Sequence, residues 1–201
     1  DDLLFSNTSY LAPFAWYRLA AAGGKVTRTA LAIRSPVDLT RVEAVRGFAT
    51  SKDGTRVPVD VLRLKGTRLD GSAPTILYGY GGYGISQTPA YSGSRGLWLL
   101  NGGVLAFAGI RGGGEYGEAW HLAGNLTRKQ NCFDDFIGAA EWLVKEGYTR
   151  PDRLGILGGS NGGILMGASM AQRPELYRAM VTMAGVYDML RVETTSNGAF
   201  N

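Results

Sequence analysis

The stretch Leu154-Gly-Ile-Leu-Gly-Gly-Ser-Asn-Gly-Gly163 decides the fold: a short apolar run ends in glycines that flank one serine, and a helical pattern follows at once. The frame G-x-S-x-G is present as Gly158-Gly159-Ser160-Asn161-Gly162. A serine on a sharp strand-to-helix turn sits in strained backbone geometry, and side chains on its neighbours would clash there. The turn presents the serine Oγ at the top of a sheet and aims the next N–H at an oxyanion forming beside it. Short glycine patterns arise by chance in a chain with 30 glycines among 201 residues, so the flanks carry the reading. Arg153-Leu-Gly-Ile-Leu157 reads as a buried strand, and Ile164-Leu-Met-Gly-Ala-Ser-Met-Ala171 is apolar on nearly every face, as in a helix packed on a sheet.

Working outward, the same alternation continues on both sides. Pro74-Thr-Ile-Leu-Tyr78 is a buried strand that runs into Gly79-Tyr-Gly-Gly-Tyr-Gly84, residues 95–101 read as helix, and Gly103-Val-Leu-Ala-Phe-Ala-Gly-Ile110 is another apolar strand. A glycine-rich loop, Arg111-Gly-Gly-Gly-Glu-Tyr-Gly117, follows it. The apolar spacing predicts an amphipathic helix over Phe133–Glu146, stopped by Gly147, and Ala179–Ala184 is one more apolar strand. Strands alternating with helices imply a parallel sheet covered on both faces, with ligands at the carboxyl ends of its strands. The serine turn and both glycine loops fall at those ends. Before them, Val42–Thr50 and Val57–Leu64 flank the turn signal Ser51-Lys-Asp-Gly-Thr55 and read as a hairpin at the edge of the larger sheet. Residues 1 to about 45 hold short strands around a Gly23-Gly24 turn, too few to close a sheet without partners.

Composition sets the outer bounds. The hydrophobic fraction of 45% and charged fraction of 19% are those of a globular protein. Net charge is +4 with the basic residues scattered, so a nucleic-acid partner is not expected. No apolar run reaches the length of a transmembrane helix, and no membrane partner is expected. The single cysteine, Cys132, excludes an internal disulfide and a cysteine-only zinc cage; it fits a reducing, cytoplasmic setting and reads as a buried thiol. No metal or cofactor is expected: Gly112-Gly-Gly114 lacks the lysine of a phosphate loop, and Asp134-Asp135 reads as a helix cap. The abrupt start and stop suggest a piece of a longer polypeptide.

Several blocks together resemble one family. Tyr78-Gly-Tyr-Gly-Gly-Tyr83, Arg111-Gly-Gly-Gly-Glu-Tyr-Gly-Glu-Ala-Trp-His121, Lys129-Gln-Asn-Cys-Phe-Asp-Asp135, Glu146-Gly-Tyr-Thr149 and Gly158-Gly-Ser-Asn-Gly-Gly163 stand in the order found in prolyl oligopeptidase-type serine peptidases, over about residues 45–190. The resemblance implies an incomplete α/β-hydrolase fold over residues 46–201, preceded in residues 1–45 by terminal strands of a β-propeller and a linking strand. It implies cleavage of short peptides through an acyl-enzyme on Ser160. It also implies an oxyanion hole of the Tyr80 hydroxyl and the Asn161 backbone N–H, and a pocket for the residue before the cleaved bond lined by Tyr83, Asn161 and Val186.

Two departures shape the expectation. α/β-Hydrolases supply their triad in the chain order serine, acid, histidine, yet the only histidine, His121, precedes Ser160 and lies in a block where the family's histidine is not catalytic. His121 and Asp188 therefore read as structural, and the acid and base are expected beyond residue 201, in the remainder of the polypeptide. By itself the 201-residue chain is not expected to turn over substrate. Counted without gaps, the tryptophan that stacks on proline in proline-cleaving members falls at Asn201, which offers no such apolar face. Preference for proline is not expected on that count, whereas an apolar or small residue fits Tyr83 and Val186. Two alternatives stay open: an esterase or acyl-peptide hydrolase on the same fold, and a non-catalytic propeller-hydrolase scaffold that binds peptides.

Overall fold

The computed structural model describes residues 1–194. It contains two sheets. A small antiparallel sheet has the order β1 (Leu3–Asn7), β2 (Ala15–Leu19), β3 (Val26–Ala32). Its strands alternate apolar and polar residues but remain largely exposed, as expected of strands short of partners. The large sheet is mixed, in the order β4 (Val42–Thr50), β5 (Arg56–Leu64), β7 (Val104–Ala108), β6 (Thr75–Tyr78), β8 (Leu154–Gly159), β9 (Ala179–Met183). The β4–β5 hairpin pairs antiparallel to β7, and β7, β6, β8 and β9 run parallel.

Helix α1 (Gly93–Leu100) covers one face of the sheet, while α3 (Lys129–Lys145) and α4 (Asn161–Gln172) cover the other. The main core lies under α3 and α4, where Val57, Val59, Leu77, Ala106, Phe136, Leu143, Ile156 and Leu165 are fully enclosed. A second cluster around Leu62, Leu99, Leu105 and Phe107 lies under α1. Into it reach Tyr10, from the β1–β2 connection, and Leu39, from the β3–β4 connection. Tyr10 stacks on Phe107 with ring centroids 5.1 Å apart and donates to Asp60 at 3.1 Å, which fastens the small sheet to the large one.

The sheet is not covered on both faces throughout. An eight-residue helix is only about 12 Å long, and α1 packs on β5 and β7 alone. The face of β6, β8 and β9 on that side is open along Ile76, Leu157 and Val181, the last 54% exposed. Helix α3 begins at Lys129, four residues before the apolar spacing places it, because polar residues fill its first turn. A short helix α2 (Glu118–Leu122) within the glycine-rich segment has no apolar repeat that could have announced it. Among the described residues no helix is long and apolar enough to cross a membrane.

Chain order makes a switch point. From β6 the chain crosses to β7 on one side, and from β8 to β9 on the other. The crevice at the carboxyl ends of β6 and β8 is where such sheets bind ligands.

Candidate active site

Ser160 stands at that crevice. It follows β8 directly and caps α4 with φ +52° and ψ −120°, a conformation that costs a residue with a side chain on the order of 1–3 kcal/mol. The turn is held from both sides: the Ser160 N–H donates to the Met183 carbonyl of β9 at 2.9 Å, and the Gly163 N–H donates to the Ser160 carbonyl at 2.8 Å. The flanking glycines answer a packing need. A Cβ on Gly158 would lie 2.5 Å from the Gly162 carbonyl oxygen, and one on Gly162 would lie 2.9 Å from that of Gly79. The Ser160 hydroxyl is exposed and has no hydrogen-bond partner among the described residues. Asn161 opens α4, so its N–H has no acceptor within the helix.

The β6 loop reaches the same point through sheet register. Tyr78 pairs with Leu157, and the Gly79 N–H extends the ladder to the Leu157 carbonyl, so Tyr80 emerges beside the serine turn. The Asn161 side chain fixes the junction by donating from Nδ2 to the Tyr80 carbonyl at 2.7 Å. Gly82 makes room for it, since a Cβ there would lie 2.3 Å from Asn161 Nδ2. Tyr83 is in the left-handed region at φ +54° and 48% exposed; burial and the neighbouring Tyr80 raise its phenol pKa. Val186 follows β9, and the backbone of Gly185 and Val186 abuts Gly163. The ends of three adjacent strands thus bring together Tyr80, Tyr83, Ser160, Asn161 and Val186.

The remaining sequence candidates lie elsewhere. His121 Nδ1 donates to the Gly112 carbonyl at 2.8 Å, which leaves Nε2 to accept from the Asn125 amide at 3.4 Å. Both ring nitrogens serve the loops, and a Cβ on Gly84 would lie 3.7 Å from the imidazole. Asp188 pairs with Arg191 on the surface. The Asn201 position lies outside the described residues. Cys132 is fully buried against Gly81, and burial pushes its thiol up to about 12. Among the described residues no group of His, Cys, Asp or Glu is placed to hold a metal ion.

The carboxylate pair Asp134-Asp135 is not a cap. Helix α3 already begins at Lys129, so Asp135 sits in its second turn, wholly buried, and binds the Arg111 backbone N–H at 2.9 Å and the Arg111 guanidinium through both oxygens. Sequence reasoning also passed over Lys129 and Glu115. Lys129 Nζ donates to the Gly81 carbonyl at 2.7 Å, and Glu115 accepts from the Gln87 N–H at 2.8 Å, so each pins one part of the β6 loop. Burial raises the Glu115 pKa. Only the recurrence of both residues inside the glycine-rich blocks could have flagged them.

Comparison with known proteins gives the setting. A model described as the prolyl oligopeptidase family matches residues 89–201. The chain is 42% identical over 200 residues to the prolyl endopeptidase of Elizabethkingia miricola, covering 98% of this chain and 28% of that protein. It is 50% identical over 155 residues to the prolyl endopeptidase of Dictyostelium discoideum, covering 76% of this chain and 20% of that one. A solved prolyl endopeptidase superposes with a TM-score of 0.92 at 46% identity, over 98% of this chain and 29% of its own. Prolyl oligopeptidase B from Galerina marginata, solved with a 25-residue macrocyclization substrate, superposes with a TM-score of 0.93 at 34% identity, over 98% of this chain and 28% of its own. The chain thus spans under a third of the length of these relatives. With its serine turn, mixed sheet and matched residues in agreement, the chain belongs to the prolyl oligopeptidase family.

Proposed function

We propose that the chain is the nucleophile-bearing part of a serine oligopeptidase that cleaves short peptides through an acyl-enzyme on Ser160. One observation carries the reading: an exposed serine with a left-handed φ, its helix N–H and the adjacent strand's Tyr80 converging at the sheet's switch point. Attack by Ser160 Oγ on a peptide carbonyl builds negative charge on the carbonyl oxygen. The Asn161 N–H and the Tyr80 hydroxyl are the two donors for that oxyanion, and Tyr83, Asn161 and Val186 line the pocket for the residue before the cleaved bond. The acyl group leaves when water repeats the attack on the ester.

The base and acid come from residues outside these 201, in a longer polypeptide. What supports this is the engagement of both His121 nitrogens and the chain's 28% share of its relative's length. Residues 1–45 are read as the end of a propeller with its linking strand, and 46–201 as the hydrolase portion; the exposed small sheet favours this. The peptidase names of the relatives favour peptide over ester substrates. Their prolyl names make proline the first residue to test before the cleaved bond.

The test uses the full polypeptide with a fluorophosphonate, which labels only an activated serine. One adduct on Ser160 is expected in the intact mass and peptide map, and an unlabelled full-length protein overturns the reading. Among labelled preparations, a peptide series with Pro, Ala or Val before the cleaved bond ranks the pocket. Tyr80→Phe is expected to lower kcat by about 10²–10³-fold, the cost of one oxyanion donor, with KM little changed. An unchanged kcat removes Tyr80 from the oxyanion hole.

A further inference from the structure

Lys129 is half-buried at the first residue of α3, and its Nζ points into the crevice floor. It donates to the Gly81 carbonyl at 2.7 Å and faces Asn161 Oδ1 at 3.4 Å. Asn161 in turn donates from Nδ2 to the Tyr80 carbonyl at 2.7 Å. The three bonds close a circuit through one ammonium, one amide and two consecutive carbonyls of the β6 loop. The circuit also orients the amide, because an ammonium can only donate and therefore takes Oδ1. That leaves Nδ2 for Tyr80.

The circuit binds the two residues that supply the oxyanion donors. Tyr80 offers its hydroxyl from a loop rich in glycine, where Gly81 and Gly84 both have positive φ and the backbone has little intrinsic stiffness. Asn161 offers its N–H from the helix start. Without a tether, the loop could drift from the serine turn, and a donor displaced by about 1 Å can cost about 100-fold in rate. Cys132 packs behind Gly81, so the loop is held from behind by packing and from the side by the ammonium.

We propose that Lys129 is a positioning residue for the oxyanion hole, acting through the Gly81 carbonyl and the Asn161 side chain. It does not touch the substrate. Its charge also lies near the forming oxyanion, so it favours the transition state over the neutral ground state. This inference rests on the peptidase reading of Ser160, and its test separates the two.

The experiment compares Lys129→Met and Lys129→Arg with wild type in the full polypeptide. Lys129→Met keeps the apolar stem and removes the donors; it is expected to lower kcat and the rate of fluorophosphonate labelling by about 10- to 100-fold, with KM little changed. Lys129→Arg keeps the charge and is expected to recover most of that loss. Hydrogen exchange of backbone amides in residues 79–84 is expected to quicken in Lys129→Met and stay near wild type in Lys129→Arg. Wild-type kcat and exchange in Lys129→Met overturn the proposal, as does an equal loss in both variants accompanied by a fall in thermal stability. If wild type itself is not labelled, the peptidase reading fails, while the exchange comparison still decides whether Lys129 holds the loop.

Discussion

Ser160→Ala is expected to lower kcat by about a million-fold, the loss seen when the nucleophile of a triad is removed. The reason lies in what the elbow does. It fixes one hydroxyl at the top of β8, exposed and unpartnered among the described residues, where a peptide carbonyl can approach beside the Asn161 N–H. Removing Oγ leaves the oxyanion donors and pocket in place, so a residual rate of about 10³–10⁴ over water is expected from them alone. KM should change little.

The substitution is also a clean one. Alanine has the same Cβ as serine and pays the same cost at φ +52°, so the melting temperature should stay near wild type. Glycine adopts that conformation freely, so Ser160→Gly should be equally inactive yet somewhat more stable. Loss of activity with unchanged or raised stability identifies Ser160 as the nucleophile. A Ser160→Ala enzyme retaining a tenth of the wild-type rate would place the nucleophile elsewhere.

The elbow was legible because its glycines and serine are local: the strand, the sharp turn and the helix are adjacent in sequence. So were the strands, since buried runs such as Val104–Ala108 are continuously apolar. What could not be read was whatever depends on one segment meeting another. The Lys129 contacts join residues 48 and 32 positions apart, and the Arg111–Asp53 pair spans 58. A lysine and an aspartate in a polar first turn look like a solvated helix start. Their burial follows from where the glycine loops pass, which no periodicity encodes. The incomplete cover of β8 and β9 escaped for a related reason: the pattern says a strand is apolar, not how far a given helix reaches.

Asp135→Ala is expected to destabilise the protein by about 3–5 kcal/mol, the cost of stranding a buried charge. Arg111 is 5% exposed and Asp135 0%. Their bond is bidentate, with Nη2 on Oδ1 at 2.6 Å and Nε on Oδ2 at 2.9 Å, and the Arg111 N–H adds a third contact at 2.9 Å. Remove the carboxylate and the guanidinium keeps only Ser51 and Asp53, on the β4–β5 turn. For a chain of this size the melting temperature should fall by roughly 6–20 °C.

Asp53 supplies the contrast. Its side chain is 46% exposed, so its bond to Arg111 is screened by water, and Asp53→Ala should cost less than about 1 kcal/mol. Arg111 holds the Asp53 carboxyl down at about 2. Because that pKa is depressed, the contribution is present above the ordinary carboxylate range and is lost as pH falls toward 2. The Asp53→Ala and wild-type melting curves should therefore differ at neutral pH and converge near pH 2. The apolar double substitution Arg111→Met with Asp135→Leu removes both charges at once and should recover much of the stability lost in Asp135→Ala. An Asp135→Ala protein within 1 kcal/mol of wild type would mean that water reaches Arg111. The consequence extends to the site, because Arg111 anchors the loop after β7 to the second turn of α3. That helix carries Lys129 and Cys132 against the Tyr80 loop.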